Sequence, residues 1–109
     1  MTRKQRKFNN QLDQYYMYQI TQALIIELQN YIYFQHKEYN HLIDFTADVN
    51  NCSANIYIKN FEESEIGELF HMHTEDVYYI QRHYQHTIRQ CIKRLNMYID
   101  YLDSEKENI

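Results

Sequence analysis

Apolar residues recur every four positions through the first third of the chain: Phe8, Leu12, Tyr16, Ile20, Leu24, Leu28 and Ile32. Ala23, Tyr31 and Phe34 join them, while Gln11, Gln14, Gln22, Glu27 and Gln29 keep other faces polar. The spacing predicts an amphipathic helix over residues 8 to about 39. Between Ala23 and Phe34 the apolar residues spread around most of the circumference. Such a helix wants burial on more than one side, and a second copy of the chain is the simplest way to supply it. Residues 42–49 are expected to extend that helix or to form a short one. Asn50 and Asn51 then mark a break, with Ser53 capping a helix over about 54–59. Asn60 suits a left-handed helix end, and with Glu63 it forms a capping-box-like pair.

The stretch 66–80 carries the spacing of a helix-turn-helix. Ile66, Leu69 and Phe70 stand at helical intervals, Met72 falls between two helices, and Val77 and Ile80 resume the period. Gly67 would sit at a tight helix crossing, and His71 at a turn position with positive φ. Thr74, followed by Glu75 and Asp76, reads as the N-cap and acidic first turn of the second helix. Tyr84, Ile88, Cys91, Leu95, Tyr98 and Leu102 then continue the register in steps of four and three, so one long helix is expected over residues 75–102. It would be roughly 40 Å long.

Composition favours the same picture. The 109 residues fit one domain, with no proline and a single glycine. Hairpins and doubly wound folds usually draw on such turn residues, so an all-α fold follows: a long N-terminal helix, a helix-turn-helix module and an extended C-terminal helix. The expected organisation is a basic flexible arm (1–7), an N-terminal helical segment (8–49), the module (50–103) and an acidic tail (104–109). Twelve tyrosines suit an interaction surface, although abundant Tyr, Asn and Ile is also what an AT-rich genome writes. The two cysteines, Cys52 and Cys91, are not spaced as a metal pair or a disulfide framework, and both are expected as buried free thiols. The N-terminus is basic and polar with no apolar core following it. No signal peptide or membrane span is therefore expected, and the cytoplasm is the expected location.

Charge modifies the functional reading. Residues 1–59 carry six Lys/Arg and five Asp/Glu, whereas residues 60–109 carry five and ten. The helix-turn-helix stretch thus lies in the acidic half, while a nucleic-acid binder normally displays a basic footprint.

The run 57–72 resembles the start of the fourth conserved region of bacterial sigma factors. Asn60 stands at that family's glycine, Phe61 at its leucine, and Glu65, Ile66 and Gly67 at its Glu-Ile-Ala. Val77 and Ile80 stand at apolar positions of its recognition helix, and Arg89, Lys93, Arg94 and Leu95 resemble its basic, leucine-ended close. Glu62, Glu63, Tyr78 and Tyr79 depart from the pattern. The layout, a long helix ahead of such a module, is similar to small transcription activators of phages and prophages of Gram-positive bacteria.

The resemblance implies a DNA-binding transcriptional regulator of phage or mobile-element type. Its second helix would present His73, Thr74, Glu75, Tyr78, Tyr79 and Arg82 to the major groove. Arg82 could grip guanine, Glu75 accept from cytosine, and a tyrosine pack on a thymine methyl. Arg89, Lys93, Arg3, Lys4, Arg6 and Lys7 would meet phosphates. Leu24, Ile25, Leu28, Ile32, Leu95, Tyr98 and Leu102 would form a homodimer interface, with RNA polymerase or another host protein as a further partner. The alternative is a helical inhibitor or sigma-module mimic that binds a host protein without DNA. His71-x-His73 and His83-x-x-His86 raise the question of a metal, since two ligands at i and i+3 on one helical face can share an ion, but the first pair falls at a turn and no nearby Cys or carboxylate completes a set, so no metal is expected. Neither an activated nucleophile nor a phosphate loop can be assembled, so no cofactor and no enzymatic activity are expected.

Overall fold

The computed structural model describes the backbone of residues 3–61 and 65–107, and the side chains of 12–61 and 67–106. It is a mixed α/β fold, which corrects the all-α expectation. A long helix α1 (Arg3–Gln35) and a 3₁₀ turn (Lys37–Tyr39) lead into three strands, β1 (Ile43–Val49), β2 (Ser53–Asn60) and β3 (Glu65–His73). A second 3₁₀ turn (Thr74–Asp76), a short helix α2 (Val77–Arg82) and a long helix α3 (Tyr84–Glu107) complete the chain.

The strands form an antiparallel meander in the order β1-β2-β3. Their alternation sets one face inward: Ile43 and Phe45 on β1, Ala54, Ile56 and Ile58 on β2, Leu69 and Met72 on β3 are buried. Against that face lie Met17, Ile20, Leu24, Leu28 and Ile32 of α1 and Ile88, Cys91, Leu95, Ile99 and Leu102 of α3. One core therefore fills the space between a sheet and a layer of two helices. The helices run in the same direction. Tyr31 Oη donates to Asn96 Oδ1 at 2.7 Å, and Tyr39 Oη, in the 3₁₀ turn that follows α1, donates to Asp103 Oδ1 further along α3. Lys106 Nζ lies 4.4 Å from the Tyr39 ring centroid, closing the end of α3 over that buried tyrosine.

The β1–β2 hairpin turns without glycine or proline. Asn50 supplies the turn instead: its Oδ1 accepts from Ser53 N–H at 3.2 Å and from Ser53 Oγ at 2.9 Å. Its own N–H donates to Ser53 O at 2.9 Å. An Asx side chain that imitates a backbone turn does here what glycine does elsewhere. Of the residues 42–49 and 54–59, expected as helical, 43–49 and 54–59 are consequently strands, and Leu42 lies in the turn before β1.

The expected helix-turn-helix is absent because residues 65–73 are β3. A register shift opposite Ile56 and Tyr57 leaves Leu69 as an extra residue, since Ile56 pairs with Phe70 and Tyr57 with Glu68. The bulge sets Leu69 beside Phe70, both packed on the core, and so imitates the i, i+3, i+4 spacing of a helix. Gly67 lies in the strand, and a Cβ there would meet nothing within 4 Å, so no crossing requires it. His71 is likewise a strand residue. Asn60 ends β2, while its expected partner Glu63 lies outside the described residues.

The single helix expected over 75–102 is divided at His83, between α2 and α3. Residues 3–7, expected as a flexible arm, have helical backbone and open α1; residues 104–107 of the expected tail belong to α3. Among the described residues no helix is long and apolar enough to cross a membrane.

Candidate functional site

The residues expected on one DNA-reading helix are spread over three elements: His73 in β3, Thr74 and Glu75 in the second 3₁₀ turn, and Tyr78, Tyr79 and Arg82 in α2. His73 closes β3, and its N–H donates to Asp76 Oδ2 at 3.2 Å, so the cap lies one residue ahead of the expected Thr74. Thr74 is half-buried, and its N–H donates to Cys52 O at 3.0 Å, extending the sheet. Glu75, in the second 3₁₀ turn, and Arg82, at the end of α2, are exposed. That helix has six residues, with Val77 and Ile80 buried. Tyr78 is fastened to α1: its hydroxyl bonds the Asp13 carboxylate, which raises its pKa, with burial adding to the effect. Its ring meets Tyr16 edge-on at 6.5 Å. Tyr79 leans on His83, with ring centroids 4.4 Å apart.

Arg89 and Lys93 are exposed on α3, and Arg94 crosses to β3, where its Nη1 donates to Leu69 O at 2.9 Å. The side chains of Arg3, Lys4, Arg6 and Lys7 lie outside the described residues. Of the residues assigned to the homodimer, Leu24, Leu28, Ile32, Leu95 and Leu102 are buried in the chain's own core, with Ile25 and Tyr98 packed against it. Cys91 is buried as expected, and desolvation pushes its thiol up to about 11. Cys52, expected buried, is exposed in the β1–β2 turn.

Two surfaces escaped the sequence reading. The first is the outer side of α1. Leu12, Tyr15, Tyr18, Ile26, Tyr33 and Phe34 remain between 39% and 72% exposed. Stepped at 100° per residue, Tyr15, Tyr18, Ile26 and Tyr33 fall within one quadrant, opposite Met17, Leu24 and Leu28. From position 12 to position 35 the only charged residues are Asp13, which is buried, and Glu27. A surface this long and this free of charge departs from ordinary solvated surface, and aromatics without charges are what interface cores contain. The available signal was the spread of apolar residues around the helix, which called for a second buried side without saying which side the sheet would take.

The second surface is the outer face of the sheet. Register places Asp48, Asn55 and His71 across the three strands, with Thr46, Tyr57 and Glu68 beside them and Ser53 opposite His73. Asn55 Nδ2 donates to Tyr57 Oη at 3.0 Å, and Asn55 Oδ1 meets His71 Nδ1. His71 Nε2 lies 3.0 Å from His73 Nε2. Helical spacing would have separated these two histidines by more than half a turn, whereas the strand puts them on one face.

Compared with known proteins, the chain matches no family model, no curated protein and no solved structure.

Proposed function

We propose that the protein is a non-catalytic protein-binding module that works as a homodimer joined through the outer side of α1. The observation that carries this reading is the stripe of exposed apolar side chains of Tyr15, Tyr18, Ile26 and Tyr33, flanked by Leu12 and Phe34, on a helix whose other side is already filled. Its size suits a second copy. Taking about 200 Å² for a whole large side chain, the exposed fractions leave on the order of 600 Å² on one protomer. Twice that reaches the lower end of the roughly 1,200–2,000 Å² buried in stable complexes. The stripe's charges are confined to its borders, Lys37 lying 5.9 Å from the Tyr33 ring centroid and Glu27 standing two turns before Phe34, so the centre of the surface meets its copy without repulsion.

Sedimentation at two protein concentrations tests the reading. The native protein is expected to be dimeric at tens of micromolar. Ile26→Glu, which places a charge at the centre of the stripe, is expected to be monomeric with an unchanged far-UV spectrum, because Ile26 makes no part of the core. A native protein that stays monomeric at about ten times that concentration sinks the proposal.

A duplex-binding reading keeps one specific support. α1 opens with Arg3, Lys4, Arg6 and Lys7 and has no acidic residue in its first turn. A cationic helical segment of this kind meets phosphates, and needs no recognition helix to do so. If the four cations engage four phosphates, affinity for a duplex falls about a hundredfold per chain between 50 and 200 mM salt. Polarisation titrations at the two salt concentrations check this. Absence of binding at low salt, or equal binding by a variant with all four replaced by alanine, removes the reading.

A further inference from the structure

The histidine pair on the outer face of the sheet has the geometry of a chelate. His71 and His73 are alternate residues of β3, so the pleat turns both imidazoles to the same side, and both are exposed. Their rings stand nearly perpendicular, with centroids 4.4 Å apart, and the two Nε2 atoms approach to 3.0 Å. Two imidazole nitrogens bound to one ion at about 2.0–2.1 Å lie about 2.9 Å apart at a right angle and about 3.4 Å apart at the tetrahedral angle. The observed separation falls inside that interval, with both ligating atoms already turned toward each other.

The neighbouring amide fixes which nitrogen of His71 is free. Asn55 Nδ2 donates to the Tyr57 hydroxyl, and the oxygen end of the amide faces His71 Nδ1. An amide oxygen only accepts, which requires the proton on Nδ1 and leaves the lone pair on Nε2. A hydrogen bond from the remote nitrogen to an oxygen acceptor is the support that metal-bound histidines ordinarily receive. Tyr57 sits at the middle of the sheet face and holds Asn55 in turn. The arrangement therefore orients one ligand before any ion arrives. His73 follows by moving its proton from Nε2 to Nδ1, which exchanges the His–His hydrogen bond for two bonds to the ion.

The geometry points to a divalent transition-metal site formed by His71 and His73 Nε2, with Asn55 as the positioning residue of His71. Imidazole pairs suit Cu²⁺, Ni²⁺ and Zn²⁺, with Cu²⁺ bound most tightly of the three. Among the described residues no third His, Cys, Asp or Glu completes the set, so water fills the remaining positions. His83 and His86, the other closely spaced pair, supply the control: His86 Nε2 is engaged by Gln90 at 3.1 Å, and the His83 ring packs on Tyr79.

The test is calorimetric titration of the full, untagged chain with Zn²⁺ and, separately, Cu²⁺ at neutral pH. One equivalent is expected to bind, Cu²⁺ more tightly than Zn²⁺. His71→Gln and His73→Gln each convert a two-point attachment into a single one, and each is expected to weaken that equivalent at least about a hundredfold. Asn55→Ala is expected to weaken it by at least about tenfold while retaining both ligands. The double variant His83→Gln/His86→Gln should bind as the native chain does. All these side chains face solvent or lie on the sheet's outer face, so an unchanged far-UV spectrum is expected to confirm folding. The proposal is overturned if the native chain takes up no equivalent, or if either His71→Gln or His73→Gln binds like the native chain. Native-like binding by Asn55→Ala overturns the part assigned to Asn55.

Discussion

Replacing Leu28 with alanine is expected to cost about 3–5 kcal/mol of folding stability, while Ile26→Ala, two residues away, costs less than about 1 kcal/mol in the isolated protomer. Leu28 is fully buried in the layer between α1 and the sheet, whereas Ile26 is 56% exposed on the opposite side of the same helix. Truncating Leu28 removes both its transfer free energy and the contacts its methyls make with a wall that relaxes only in part. For a domain of this size the loss lowers the melting temperature by more than about 10 °C. The pair also reads the proposed assembly. The Leu28 penalty is a property of the fold and stays the same at every protein concentration. The Ile26 penalty grows with concentration if that side meets a second copy, because association adds stability by mass action. Equal penalties for the two variants in dilute chemical denaturation would mean that the inner and outer sides of α1 are wrongly assigned.

Helix α1 and the seam of α3 were legible because their signal is local. Met17, Ile20, Leu24, Leu28 and Ile32 keep one helical stripe, as do Ile88, Cys91, Leu95, Ile99 and Leu102. The strands also leave a signal in the sequence, an alternation that the helical expectation passes over. β1 alternates Ile43, Phe45, Ala47 and Val49 with Asp44, Thr46 and Asp48, and β2 alternates Ala54, Ile56 and Ile58 with Asn55, Tyr57 and Lys59. The missing glycines and prolines argued against hairpins, yet a turn needs only a residue whose side chain can stand in for the backbone, and Asn50 does so. β3 was misleading for a different reason: its bulge at Leu69 breaks the period of two where the helical pattern was recognised. The run that resembles a sigma-factor region passes through β2 and β3, so the helices which that resemblance implies are not formed there.

The candidate surfaces depended on that topology. Tyr15 and Tyr33 could be assigned an outward face only once the sheet had taken the other one. His71 and His73 meet only because their segment is extended, and Asn55 joins them only through the β2–β3 register. The spacing of two histidines is a sequence property, but whether it brings them together depends on the period of the backbone. The five core leucines and isoleucines assigned to a dimer, Leu24, Leu28, Ile32, Leu95 and Leu102, show the complementary error: an apolar stripe says that something covers it, and here most of that cover is the chain itself.

Raising the pH from 8 to 11 is expected to remove about 2–3 kcal/mol of stability through Cys91 alone, with Tyr39 adding in the same direction. Burial pushes the Cys91 thiol from 9.0 up to about 11. Desolvation comes first for Tyr39 as well, and the hydrogen bond to Asp103 with that carboxylate's negative charge completes a rise from 10.0 to about 12. In both cases the folded state favours the neutral acid, so the unfolded chain loses its proton first. The contribution is therefore whole below pH 9 for Cys91 and below pH 10 for Tyr39, and it drains away as pH climbs through the folded values near 11 and 12. At a urea dependence of about 1–3 kcal/mol per molar, the Cys91 share lowers the unfolding midpoint by about 1–2 M. The measurement is the urea midpoint at pH 8 and pH 11 in a Cys52→Ser background, which takes the exposed thiol out of the alkaline chemistry. Cys91→Ala is expected to flatten the decline between pH 9 and 11, and Tyr39→Phe the part between pH 10 and 12. Each variant starts from a lower stability at pH 8, so the slope with pH carries the result and the intercept does not. A Cys91→Ala protein that loses stability between pH 9 and 11 as steeply as its parent would show that the buried thiol is not what the folded state protects.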